Sequence, residues 1–175
     1  MNLERRIATE LRAAGRKLSG YAATFGTEAR IADFTEIIRP GAFSASLEAR
    51  QDILALVDHA PGRLLARTKS GTLRLSEDDK GLSFEIDLPD TQDGRDILAL
   101  AERGDLGGMS FGFLVPERGD VWKDGNRREL VRVDLREISV VMGWPAYPET
   151  EVHARTAKPA LVRAYRFLET CKWGF

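Results

Sequence analysis

The sequence is poor in the residues from which metal sites and disulfide frameworks are built. One cysteine, Cys171, and two histidines, His59 and His153, stand among 175 residues. A lone cysteine excludes an internal disulfide and fits a reducing compartment. The histidines and the cysteine lie too far apart to offer zinc-ligand spacing, so no metal and no cofactor are expected. No Gly-rich loop ends in Gly-Lys-Ser or Gly-Lys-Thr, which removes a P-loop. No apolar run reaches the roughly 18 residues of a membrane span. The chain opens as Met1-Asn2-Leu3-Glu4-Arg5-Arg6, without the apolar centre of a signal peptide. Charge is nearly balanced, with 26 basic against 27 acidic residues and a formal net charge of -1. No global field therefore favours nucleic acid or an anionic membrane. The expectation is a soluble intracellular protein with neither kind of partner.

What is present suits one globular domain. Hydrophobic residues make up 43% and charged residues 30% of the chain, enough for a real core at this length. Lys17 to Phe25 and Phe34 to Ile38 read as strands, the second closed by Arg39-Pro40-Gly41. Ala42 to Arg50 has helical composition, with Ser44 as its N-cap. Asp52 to Val57 is an apolar run that is either a buried strand or the end of that helix. Gly71 to Leu75 and Leu82 to Leu88 alternate as a hairpin, in which Gly81 can supply a positive φ. Asp93 to Arg103 is the best helix and Gly104 can end it. A strand from Ser110 to Val115 follows, then a hairpin from Asp120 to Val140 that turns at Lys123-Asp124-Gly125-Asn126. Its second arm, Leu130 to Val141, carries Glu137, and the tail beyond Trp144 is loop-like with a terminal helix at Ala160 to Lys172. The fold class expected is α+β, mainly β, a barrel or sandwich with helices outside.

Leu106-Gly107-Gly108-Met109-Ser110-Phe111-Gly112-Phe113 sets one serine among small and apolar residues. Glycines remove side-chain bulk where backbone must approach a substrate. A serine nucleophile needs a weak base near neutral pH, and histidine suits that task. His59 sits at a strand-to-loop junction, Val57-Asp58-His59-Ala60-Pro61-Gly62, whereas His153 lies in a proline-rich tail, so His59 is preferred. A carboxylate on the other ring nitrogen would hold the tautomer. Asp58 adjoins His59 and points away in an extended segment. Glu137, in Leu135-Arg136-Glu137-Ile138-Ser139-Val140-Val141, stands on a strand and is chosen. Amides at Gly108 and Gly143 are the oxyanion candidates. Gly108-Met109-Ser110-Phe111-Gly112 also matches the nucleophile elbow Gly-x-Ser-x-Gly, but that elbow needs a helix after the serine. Here Phe111 to Val115 reads as strand and stops at Pro116.

Several blocks together resemble the prohead serine proteases of tailed phages and gene transfer particles, over about Lys17 to Val152. They include Leu18-Ser19-Gly20-Tyr21-Ala22, Glu36 to Phe43, the His59 segment, Lys80-Gly81-Leu82 and Gly94-Arg95-Asp96. The strongest are Gly107 to Phe113 and Arg136 to Val141, followed by Pro145-Ala146-Tyr147-Pro148. The resemblance implies an assemblin-like β-barrel surrounded by a few helices, spanning 17–152, with 1–16 an N-terminal segment free to be flexible. Residues 153–175 would be a tail, either helical or processed. It implies a serine endopeptidase with histidine before serine, matching His59 and Ser110. Assemblins use a second histidine as third member, and Glu137 would replace it. It further implies the major capsid protein and scaffold as substrates, self-cleavage near the termini, homodimerisation, and action inside the immature capsid in the bacterial cytoplasm. The competing readings are a non-catalytic, scaffold-like assembly factor that keeps the fold, and a small-ester hydrolase.

Overall fold

Alternation of apolar and polar residues dominates the chain from Lys17 onward, and the structure, a computed structural model, turns that alternation into strands. It describes residues 3–8, 11–14, 16–31 and 33–143. The expected tail, its terminal helix and His153 lie outside the described residues. In chain order the elements are β1 (Glu4–Ala8), β2 (Leu11–Ala14), β3 (Lys17–Thr24), β4 (Ala29–Ile31), β5 (Phe34–Ile38) and α1 (Ser44–Glu48). Next come β6 (Leu54–Val57), β7 (Ala60–Arg67), β8 (Leu73–Glu77), β9 (Gly81–Asp87) and α2 (Gln92–Arg103). The last four are β10 (Gly108–Leu114), β11 (Asp120–Lys123), β12 (Arg127–Leu130) and β13 (Asp134–Val141).

The fold is mainly β, as expected, but among the described residues the strands form three sheets and do not close into one barrel. A five-stranded sheet runs β1-β10-β13-β6-β7, and two four-stranded sheets run β11-β12-β5-β4 and β2-β3-β9-β8. One core joins them. Leu18, Ala22 and Ala23 of β3 and Leu82, Phe84 and Ile86 of β9 meet Met109, Phe111 and Phe113 of β10 and Ile138 and Val140 of β13. Phe43 packs edge-on against Phe111 with centroids 5.6 Å apart, and Phe111 stacks on Phe113 at 5.2 Å. Truncating a buried aromatic such as Phe111 to alanine costs about 3–5 kcal/mol.

Local chemistry explains the helix ends. Thr91 caps α2, its hydroxyl accepting from the Gly94 amide at 3.3 Å, and Gly104 ends it at φ 76°. The first helix is shorter than its composition suggests, and Ser44 does not cap it. Phe43 is the N-cap residue, and the Ser44 hydroxyl donates instead to Glu77 at 2.6 Å. The ambiguous run at Asp52 to Val57 resolves as strand β6, seated beside β13 in parallel. Gly81 has no positive φ. A Cβ there would collide with the Ala23 carbonyl, so it is glycine for close approach of β9 to β3. The expected hairpin arm Leu130 to Val141 is two strands. Its first part, β12, pairs with β11 and, in parallel, with β5, whereas β13 leaves for the five-stranded sheet. Between them the Val133 amide binds the Ala42 carbonyl at 2.9 Å.

Candidate active site

The site grows from the pairing of β10 with β13. Ser110 lies directly opposite Ser139, and Gly112 opposite Glu137. Directly opposed residues of an antiparallel pair share a face, so all four stand on one side. Met109, Phe111, Ile138 and Val140 point the other way, into the core. The register then slips between Gly112 and Phe113, leaving Arg136 as an extra, exposed residue on β13. Bulges of this kind re-aim side chains beside sites.

His59 arrives from the neighbouring β6–β7 hairpin. Val57 pairs with Ala60, so Asp58 and His59 form a two-residue turn with φ of 48° and 59°. Positive φ at both central residues is the type I′ pattern that matches strand twist, and aspartate and histidine tolerate it better than most side chains. Asp58 holds the turn to β13. Its amide donates to the Val140 carbonyl at 2.9 Å, and its carboxylate accepts from the Met142 amide at 2.9 Å and from Arg63 at 3.3 Å. The rejected acid is thus the anchor of the histidine turn.

With the turn anchored, His59 Nδ1 lies 2.7 Å from Glu137 Oε1. The other carboxylate oxygen, Oε2, accepts from Ser139 Oγ at 2.6 Å. Arg5 Nε stands 3.5 Å from Oε1. Burial pushes the Glu137 carboxyl upward, but hydrogen bonds from His59 and Ser139 and the charges of His59 and Arg5 outweigh it, holding the acid below its ordinary range. An ionised Glu137 can only accept, so Nδ1 carries the proton and Nε2 is left as the basic nitrogen.

Ser110 is fully buried, and its hydroxyl has no hydrogen-bond partner among the described residues. The structure therefore joins His59 to Glu137 and sets Ser110 one rung along the same face, without a Ser110–His59 hydrogen bond. Catalytic hydrogen bonds are often long before substrate binds. Of the oxyanion candidates, Gly108 opens β10 with φ 138° and pairs with Val141. Gly143 is exposed, and its carbonyl lies against Gly107, where a Cβ would collide with it. Two residues of the site were not singled out from the sequence, Ser139 and Arg5, and Gly112 was read as a flank of Ser110 and not as the space that Glu137 fills. Ser139 was readable, two residues beyond Glu137 on a strand and hence on its face. Arg5 carried no local signal. Among the described residues no cluster of metal-ligating side chains occurs, and no helix is long and apolar enough to cross a membrane.

The sequence profile of the caudovirus prohead serine proteases matches residues 2–163, and the chain belongs to that family. The structure of the bacteriophage T4 capsid assembly protease, gp21, is similar to this one, with a TM-score of 0.52 at 10% identity over 81% of this chain and 97% of that chain. At that identity the likeness speaks for the fold alone. No curated protein shows significant sequence similarity to the chain.

Proposed function

We propose that this chain is a serine endopeptidase that cleaves capsid protein or scaffold, and its own termini, during procapsid maturation inside the immature shell. The reading is carried by the 2.7 Å contact of His59 with Glu137, one rung from the unpartnered hydroxyl of Ser110, in a member of the prohead serine protease family. Ser110 Oγ attacks the scissile carbonyl carbon, and its proton passes to His59 Nε2. Glu137 keeps Nδ1–H and stabilises the imidazolium without taking its proton. Amides near Gly108 or Gly143 hold the oxyanion. Collapse of the tetrahedral intermediate breaks the peptide C–N bond, and the leaving amine takes the proton from Nε2. Water, deprotonated by the same nitrogen, then attacks the acyl carbon, and the bond to Ser110 Oγ breaks as Oγ takes that proton back from Nε2. A homodimer is part of the proposal.

One observation favours the assembly-factor reading: Ser110 is wholly buried, and a nucleophile must be reached by its substrate. Co-expression with a phage major capsid protein as candidate substrate separates the two. Intact mass should show truncated capsid protein with wild type and His153→Ala, and full-length capsid protein with Ser110→Ala and His59→Ala. Loss with His153→Ala alone would transfer the base to His153. Uncleaved capsid protein throughout, with particles still forming, would leave the assembly factor.

A further inference from the structure

The N-terminal strand β1 is an edge strand, yet each of its faces meets a buried carboxylate. On one face, Glu4 and Arg6 enter a network with Glu36 and Arg128. On the other, Arg5 reaches Glu137. That reach is unusual. β1 and β13 are separated by β10, so about 9.5 Å of sheet and one intervening side chain should keep them apart. Arg5 pairs with Gly112 and Gly112 with Glu137. The intervening residue has no side chain, and a Cβ there would collide with Oε1. The gap at Gly112 is filled by the Glu137 carboxylate, with the Arg5 guanidinium beside it. Arg5 Nε is itself buried and has no hydrogen-bond partner among the described residues. It is a cationic N–H held 3.5 Å from the oxygen that receives His59.

From this geometry we infer that Arg5 is a positioning residue of the site, acting through Glu137 to hold the His59 ring with Nδ1–H toward the carboxylate. The inference rests on the protease reading above and adds a member to its machinery. While His59 is neutral, Arg5 is the one permanent cation paired with Glu137 among the described residues. A buried carboxylate that loses its countercharge tends to take a proton. A protonated Glu137 would donate to the ring instead of accepting, and Nε2 would no longer be the nitrogen that receives the Ser110 proton. Arg5 prevents that exchange of roles. Glu4 and Arg6 keep β1 in register from its other face, so Arg5 is delivered by strand pairing and not by a mobile arm.

A mutant cycle on the full chain tests this. Labelling of Ser110 by a fluorophosphonate probe is compared for wild type, Arg5→Lys, Arg5→Gln, Glu137→Gln and the Arg5→Gln/Glu137→Gln double variant. Arg5→Gln should slow labelling about tenfold, Arg5→Lys should restore most of the rate, and Arg5→Gln should change the Glu137→Gln rate by about twofold at most. Equal slowing in both backgrounds, or no slowing, overturns the inference. Labelling that is absent in wild type, or unchanged in Ser110→Ala, sinks the protease reading instead. Arg5 is then judged from the low-field proton resonance of His59 Nδ1–H. Loss or broadening in Arg5→Gln with retention in Arg5→Lys supports its positioning role, and the same spectrum in wild type and Arg5→Gln overturns it.

Discussion

Strand β1 borders two buried sets of charged side chains that solve the burial of a carboxylate in different ways. On one side, Arg128 forks onto both oxygens of Glu4 at 2.6 and 2.9 Å, reaches Glu36 at 3.1 Å and binds Asp120 at 2.8 Å. Arg6 joins Glu4 and Glu36, each at 2.8 Å. Burial alone would lower the Arg128 pKa, but Glu4, Glu36 and Asp120 outweigh it and hold the guanidinium charged. Every acid in this set meets a permanent cation. On the other side, Glu137 is shared among an imidazole, a hydroxyl and one guanidinium nitrogen, while Ser110 Oγ and Arg5 Nε stay without hydrogen bonds among the described residues. A buried donor without a partner costs about 1–3 kcal/mol. The first set is saturated and locks four strands, β1, β5, β11 and β12; the second is left unsaturated where proton transfer is proposed.

Four substitutions or conditions would break or sharpen this contrast. Glu137→Gln keeps the shape and removes the charge, and should lower capsid-protein cleavage by about 10⁴-fold with little change in far-UV circular dichroism. Arg128→Met should do the reverse. It strips Glu4 and Glu36 of a partner, so urea unfolding should show a loss of about 3–5 kcal/mol, with the probe-labelling rate per folded molecule close to wild type. Gly112→Ala belongs to both sets of effects, because its Cβ must displace Glu137. A destabilisation of about 1–3 kcal/mol together with lost labelling is expected, and stability loss with full labelling would show that the glycine gap is not needed.

The smallest effect is the pH dependence. The Glu137 pKa lies below its ordinary value of 4.5 in the folded protein. Its contribution to stability is therefore fully present above that value and is lost as pH falls through the lower folded one. As pH falls below 4.5, wild type should lose urea midpoint relative to Glu137→Gln. A wild type that kept its full advantage as pH fell well below 4.5 would contradict the direction of the shift.

Much of the scaffold was legible because its signals are local. The β8–β9 hairpin and α2 with its glycine end follow from alternation, helical spacing and a residue suited to positive φ. Where local signals mislead, a distant contact intervened. Ser44 serves Glu77 instead of the helix end, and the arm after Leu130 breaks because β13 pairs with β10 and β6 in another sheet. Catalytic candidates were legible for a different reason: with two histidines in the chain, few combinations of serine, base and acid exist.

The sequence by itself determined the candidate serine, histidine and acid and the periodicity of their strands, since both depend on side-chain chemistry and on spacings of a few residues. Scarcity singled out His59, and glycines flanking Ser110 marked its strand. Only the tertiary structure decided which strands became neighbours. The antiparallel register of β1 with β10 joins residues about a hundred positions apart, and nothing in the local pattern of Glu4-Arg5-Arg6 distinguishes a buried, shared strand from a solvated charged terminus. Pairing energies are summed over whole sheets and a common core, so the 2.7 Å approach of His59 to Glu137 and the opening at Gly112 that admits Arg5 are properties of the assembled fold.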